Sequence, residues 1–440
     1  MRSRSNTQDY GEPPPSASSS GTSILSADYT LLNSSEIEDV LVDLAHPYTG
    51  ILDLKSGRKA DGLSFQPCAT ARCQDRYIIE QFAVNDTGNE LWTLTGVFDG
   101  HLGEATVEHV AHHLPVIVQE FLAEAVSNRG PACLKDPTVV SATLKRAFIS
   151  FDRDIANDVL ELFPGGIASL ERLSDDYIRS VINDYSNGLQ NYKKVQLNMY
   201  GTTVLLAVVD PLQENLWIAN LGDCQAVLAS RTPSGRWVGE LLTQVHNGTN
   251  LLEVERVRRE HPNEPDCVRN GRILGTIAPF RCIGDQPFKQ PAAFTSRILF
   301  NLDAGKENVD SSRAAWAQLI DRIRTPPYLS ADPDVAHFRL NRGSNAFAGV
   351  PNQFLVLCTD GLPDLLETIP PQGHPQYYVD AVIPPGTRNE QASFHLDDNI
   401  ALRILKKALG GEDNNAVSQM ISLQSDQPWL DDVTIIVQIL

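Results

Sequence analysis

The chain has 440 residues, 42% of them hydrophobic, which is ample material for a buried core and excludes wholesale disorder. Lys and Arg number 36 against 55 Asp and Glu. The formal net charge of −19 argues against nucleic acid as a main partner, because phosphate backbones call for a basic footprint.

Residues 1–35 are rich in Ser, Pro and Gly, with too few large apolar side chains to offset the entropy of ordering, and read as a flexible tail. The start lacks a secretory apolar core. Its early arginines and serines faintly resemble a transit peptide, while Asp9 and Glu12 argue against one, so cytoplasm and mitochondrial matrix both stay open. From 36 to 440 no comparable linker interrupts the chain, which reads as one domain with insertions near 160–198, 286–330 and 370–398. Continuous apolar runs predict strands at Leu91–Phe98, Thr202–Val209, Leu216–Leu221, Gln225–Ala229, Phe354–Cys358 and Val433–Leu440. Asp210–Asn215 reads as a hairpin connection between the second and third of these. Val140, Leu144, Ala147, Phe148, Phe151, Ile155 and Val159 recur at helical spacing. Further helices are predicted after Gly103, bent or ended by Pro115, and over Leu251–Glu260, Ser312–Arg324 and Asn399–Leu409. The Pro-rich stretches near 326–333 and 370–386 read as surface insertions.

Seven cysteines are scattered without a CxxC pair or a Cys/His cluster, so a structural zinc site is not expected and reduced thiols in an intracellular compartment are. No apolar run reaches about 18 residues, so no membrane span is predicted. Oligomeric state is not readable from these features.

The aspartates are more informative. Asp99-Gly100-His101 ends the run GVF, Gly222-Asp223 ends LWIANL, Asp360-Gly361 follows FLVLC-Thr359, and Asp431-Asp432 precedes VTIIVQIL. Any one Asp-Gly is ordinarily a turn. Four such acids at strand ends suggest convergence at one sheet edge, where clustered carboxylates need a compensating cation. An oxygen-rich set suits a hard cation such as Mg²⁺ or Mn²⁺.

GVFDGH (96–101), YGTTVLLAVVD (200–210), ANLGDCQAVL (219–228), LCTDGLPDLL (357–366) and LDDVTIIV (430–437) resemble, in order, the motif series of the PPM-type (protein phosphatase 2C) metal-dependent serine/threonine phosphatases. Within that family, His246-Asn247, RILGTIAPFRCIGDQPFK (272–289) and TPPYLSADPDV (325–335) look most like the pyruvate dehydrogenase phosphatase branch. The resemblance implies an α+β fold: a β-sandwich of two antiparallel sheets flanked by helices on both outer faces, in four α-β-β-α layers. It implies two Mg²⁺ or Mn²⁺ ions and a third, weaker one. Asp99 would bridge the pair, the Gly100 carbonyl would bind one ion, and Asp360 and Asp431 would complete the first ion's ligands. Asp223 would help hold the third, Asp285 would act in support, and His101 would be the general acid. The implied reaction is hydrolysis of phosphoserine or phosphothreonine on a phosphoprotein substrate by a metal-activated water.

Three departures stand out. The family's first Glu-Asp reads Gln74-Asp75, which keeps size but loses a charge that helps retain the second metal through water. The late Asp-Asn reads Asp431-Asp432. The phosphate-binding arginine falls at Thr70, leaving Arg72 and Arg76 as substitutes. Two other readings accompany the phosphatase: a catalytically silent fold that docks a phosphoprotein, and a different metal hydrolase acting on small phosphates or nucleic acid.

Overall fold

In a computed structural model the described residues are 28–54, 56–84, 90–303, 317–340, 352–384 and 398–440. Eleven strands of five or more residues form two sheets: β1 Tyr48–Asp53, β2 Arg58–Phe65, β3 Arg76–Ala83, β4 Leu91–Phe98, β5 Val204–Val209, β6 Asn215–Leu221, β7 Gln225–Arg231, β8 Trp237–Leu241, β9 Asp334–Arg339, β10 Gln353–Cys358 and β11 Val433–Ile439. The first sheet has the order β1-β2-β11-β10-β7-β8 and the second β9-β6-β5-β4-β3, every pairing antiparallel. The helices are α1 Ser34–Ala45, α2 Glu104–Arg129, α3 Pro137–Leu160, α4 Asp175–Ile182, α5 Gln190–Gln196, α6 Leu251–Glu260, α7 Ala292–Arg297, α8 Gly361–Asp364, α9 His374–Val382, α10 Ile400–Ala408 and α11 Asn414–Ser422.

Side-chain alternation explains why the central strands read as unbroken apolar runs. Leu205, Ala207 and Ile218 point inward and meet Ala226, Leu355 and Ile436 of the facing sheet. Their neighbours Leu206, Val208 and Ala219 point outward against α2 and α3. On the opposite face Val356, Ile435 and Val437 pack under α1, α9, α10 and α11. The result is the expected four-layer α-β-β-α sandwich. A fourth apolar cluster joins Phe163, Ile178 and Met199 with Phe280, Phe294 and Leu299, so the segments around 160–199 and 254–302 share a core of their own beside the sandwich.

All six strands predicted from apolar runs are present, and the 210–215 hairpin pairs Val209 with Leu216. The helix predicted from the 140–159 spacing is α3, with those seven residues buried. The helix over 251–260 is α6 and that over 399–409 is α10, while the one expected at 312–324 falls partly outside the described residues.

Other expectations need correction. Pro115 does not end α2, which runs on to Arg129. The missing N–H and ring clash, about 3 kcal/mol in a helix interior, are outweighed by burial of Val118, Leu122 and Ala125 beyond it. Residues 28–35, read from the sequence as part of a flexible tail, are held against the domain: Tyr29 Oη donates to Asn415 Oδ1 (2.7 Å), Leu32 N donates to Ser418 Oγ (3.0 Å), and Asn33 caps α1. Residues 1–27 lie outside the described residues. Nor are the Pro-rich stretches purely superficial. Tyr328 and Leu329 are buried in the lateral cluster and Tyr378 and Val379 under the first sheet, while 385–397 lie outside the described residues.

Strand β2 (RKADGLSF) escaped the sequence reading because, besides Arg58 at its start, it carries two buried charges, Lys59 and Asp61. They neutralise each other: Lys59 Nζ lies 2.9 Å from Asp61 Oδ2 with both side chains fully buried. Asp61 also accepts from Thr49 Oγ1 (2.7 Å) and from the Ile400 backbone N (2.9 Å), which ties the start of α10 to the sheet. Asp61→Ala strands a buried ammonium. It is expected to destabilise the fold by about 3–5 kcal/mol in urea unfolding, whereas a loss under about 1 kcal/mol would mean the pair is dispensable.

Candidate metal centre

Three acids from different parts of the sandwich meet at one end of it. Asp99 follows β4 of the second sheet, and Asp360 follows β10 of the first. Asp223 sits in the turn from β6 to β7, where the chain passes from one sheet to the other. One carboxylate oxygen from each lies within 4.8 Å of the other two, and among the described residues this is the group that could hold a metal ion. The local backbone is fixed: the Asp99 carbonyl accepts from Thr203 N (2.9 Å) and Thr202 Oγ1 (3.0 Å), and Asn247 Nδ2 donates to Asp223 Oδ2 (3.0 Å). Gly100 pairs with Thr202 in a short ribbon that leads straight to His101. Gly361 is required by close approach, since a Cβ there would lie 2.1 Å from the Asp432 carbonyl.

The electrostatics are those of crowded like charges in a poorly solvated place. Burial, then Asp360, Asp75, Asp223 and Asp431, push the Asp99 carboxyl well above the usual range. Burial, then Asp223 and Asp431, do the same to Asp360. Burial also raises Asp223, against the hydrogen bond from Asn247. Asp75 lies behind them, fully buried, and takes a hydrogen bond from Thr359 Oγ1 (2.7 Å). Burial and Asp432 push it up to about 8. The Gln74 backbone N donates to Asp432 Oδ2 (2.6 Å), so Asp432 anchors the 74–75 segment beside the cluster, aided by Gln66 Nε2 on its other oxygen (2.8 Å). The Gln74 side-chain oxygen is buried with no hydrogen-bond partner. The converging carboxylates form a hard, all-oxygen donor set, which fits Mg²⁺ or Mn²⁺.

His101 faces this cluster from the side. Its Nε2 lies 2.7 Å from Asp285 Oδ2. Burial alone would lower the imidazole's pKa, but the Asp285 charge and hydrogen bond win and hold it above the usual value. Only glycine fits at 201, because a Cβ there would lie 1.9 Å from Asp285 Oδ2 and 2.9 Å from His101 Nε2.

The remaining sequence-derived residues are placed less centrally. Asp431 is exposed and outside the 4.8 Å group, although its charge contributes to raising Asp99, Asp360 and Asp75. Arg76 is tied to Glu108 (2.8 Å), Glu104 (3.5 Å) and the carbonyls of Cys73 (2.9 Å) and Asp75 (2.8 Å). Arg72 has an 86% exposed side chain and one long contact, 3.7 Å to Glu104. Of the two, Arg72 is the one available to a ligand.

Two residues of the site were missed in the sequence. Asp364 lies one helical turn beyond Asp360, and burial with Asp431 and Asp223 pushes it up to about 6. The i, i+4 spacing in DGLPD was the available signal. Asp334 orients His246, whose Nε2 lies 3.0 Å from its Oδ2 while Nδ1 accepts from Gly222 N (3.1 Å), fixing the turn that carries Asp223. No local signal joins residues 88 positions apart.

The family model described as Protein phosphatase 2C matches residues 155–368. The human mitochondrial pyruvate dehydrogenase (acetyl-transferring) phosphatase 1 is 28% identical over 78% of this chain and 72% of its own length. A protein phosphatase 2C homolog of Schizosaccharomyces pombe is 25% identical over 83% of this chain and 77% of its own. Among solved structures, a serine-threonine phosphatase 2C from Toxoplasma gondii superposes with a TM-score of 0.48 at 15% identity, covering 87% of this chain and 94% of that one.

Raised carboxyl values bind protons in the folded state that the unfolded chain releases near pH 4, so this contribution to metal-free stability is lost as pH rises. The loss runs through about 6 for Asp364 and about 8 for Asp75. The thermal midpoint of the EDTA-treated protein is therefore expected to fall between pH 6 and 8, and Mg²⁺ to raise it more at the higher pH. Asp99→Asn, relieved of one charge, is expected to gain about 1 kcal/mol without metal and to lose the Mg²⁺ response. An equal Mg²⁺ shift in both proteins contradicts the assignment.

Proposed function

We propose that this chain, which matches the protein phosphatase 2C family model over residues 155–368 and is 28% identical to a pyruvate dehydrogenase phosphatase, is a metal-dependent serine/threonine phosphatase, and that the acidic centre at the end of its sandwich is where a phosphoserine or phosphothreonine is hydrolysed. The observation that carries this reading is the approach of Asp99, Asp223 and Asp360 to within 4.8 Å from both sheets. In our assignment Asp99, the Gly100 carbonyl, Asp360 and Asp431 would hold a pair of divalent ions, and Asp223 with Asp364 would hold a third. Bound there, such ions supply a lowered pKa for water and neutralise phosphoryl oxygens.

The chain's own residues do the rest. Asp285 favours the protonated form of His101, which would deliver a proton to the departing serine or threonine oxygen, a poor leaving group as a free alkoxide. Gln74 and Asp75 would hydrogen-bond metal-held waters in this reading, and Asp432 keeps that segment in place. Arg72, largely exposed, would offer a cation to the phosphate. The relatives' names point to the substrate context we propose to test first: phosphorylated pyruvate dehydrogenase in mitochondria. The lateral cluster built from 160–199 and 254–302 is the surface we assign to substrate selection.

The neutral Gln74 favours one further reading, a centre with weakened ion retention that docks phosphoprotein more than it turns it over. Hydrolysis of a phosphothreonine peptide separates the two. Mn²⁺-dependent phosphate release, abolished by EDTA and by Asp99→Ala, is expected of the enzyme, and equal rates with and without metal would refute it. Gln74→Glu restores a charge at the rim of the cluster and is expected to lower the Mn²⁺ concentration for half-maximal rate about tenfold, ~1.4 kcal/mol. An unchanged titration would show that Gln74 plays no part in ion retention.

A further inference from the structure

His101 owes its orientation to Asp285, and Asp285 stands on a segment that would not hold its shape unaided. Gly284 has φ +85° and Asp285 φ +48°, both in the left-handed region where a residue with a side chain is disfavoured. Its outer neighbours are tied by backbone bonds, from Asp285 N to the Tyr200 carbonyl (2.9 Å) and from Gln286 N to the Asn198 carbonyl (3.2 Å). The inner side is tied by a buried ion pair. Asp152 of α3 accepts through Oδ1 from Gly284 N (2.8 Å), Gln286 Nε2 (3.3 Å) and Lys289 Nζ (2.7 Å). Lys289 in turn donates to the Cys282 carbonyl (2.8 Å). The carboxylate and the ammonium thus clamp the segment at Cys282, Gly284, Gln286 and Lys289, on both sides of Asp285. Both side chains are at least nine-tenths buried.

A buried ion pair is weak evidence for stability, because desolvation offsets much of its attraction and apolar residues of similar volume often serve as well. What apolar residues could not supply is the acceptor for Gly284 N and the donor for Cys282 O. We propose that Asp152 and Lys289 are positioning residues for the reaction: they hold the 282–289 segment in the one conformation that points Asp285 at His101. This rests on the reading of His101 as general acid.

A proton donor matters for a leaving group that departs as an alkoxide and hardly at all for nitrophenolate, which leaves unaided. The two substrates therefore tell a positioning role from a merely structural one. In the full chain, Asp152→Ala/Lys289→Met, which removes both charges and so strands neither, is expected to lower kcat for a phosphothreonine peptide about 10- to 100-fold. With p-nitrophenyl phosphate kcat should change less than about threefold, and Mn²⁺ affinity by calorimetry should be unaltered. Asp152→Asn/Lys289→Met keeps an oxygen for Gly284 N and should recover much of the peptide rate. His101→Asn supplies the reference pattern. If it shows no difference between the substrates, the general-acid reading itself fails. If it does while the Ala/Met variant loses both rates equally, loses neither, or is not rescued by the Asn/Met variant, the positioning role is overturned.

Discussion

Carboxylates taken out of water and set facing one another repel, and nothing in their own chemistry relieves the strain except a proton or a cation. Asp99, Asp223 and Asp360 are in that position, with Asp75 buried behind them. Their carboxyls are all held above the ordinary value, first by burial and then, for Asp99 and Asp360, by the neighbouring acids. A fold that tolerates this arrangement must be stabilised elsewhere and must gain from what the cluster binds.

The sandwich makes the convergence possible. Strands apolar on both faces are locked between the facing sheet and a helical layer, so their ends are fixed with little freedom. Asp99 is delivered by one sheet, Asp360 by the other, and Asp223 by the turn that joins them. The supporting contacts come from remote parts of the chain: Asp432 on the Gln74 backbone, Asp334 through His246 on the 222–223 turn, Asp285 on His101. Each of these is a second carboxylate that aligns a group touching the centre, which accounts for part of the excess of acid over base in the chain.

What was legible in the sequence follows from physics of the same kind. Doubly buried strands announce themselves as apolar runs, and the acids that end them stand out by contrast, so Asp99, Asp223 and Asp360 could be read directly. Strands β1, β3, β8 and β9 carry polar residues on a half-exposed face and gave no such run. Strand β2 was hidden by Lys59 and Asp61, whose charges cancel only once both are buried side by side. Pro115 misled because local propensity favours a break where the packing of later turns decides otherwise. Arg72 and Arg76 were equivalent in the sequence, and only their surroundings separate a residue committed to Glu104 and Glu108 from one left exposed.

The most direct test is crystallographic. Crystals grown with Mn²⁺ and measured at its absorption edge should show anomalous density in contact with the carboxylates of Asp99 and Asp360, with a further peak toward Asp223. Anomalous density confined to other acidic surfaces, with Asp99, Asp223 and Asp360 bonded only to one another through shared protons, would contradict the assignment of this centre as the place where the ions are held.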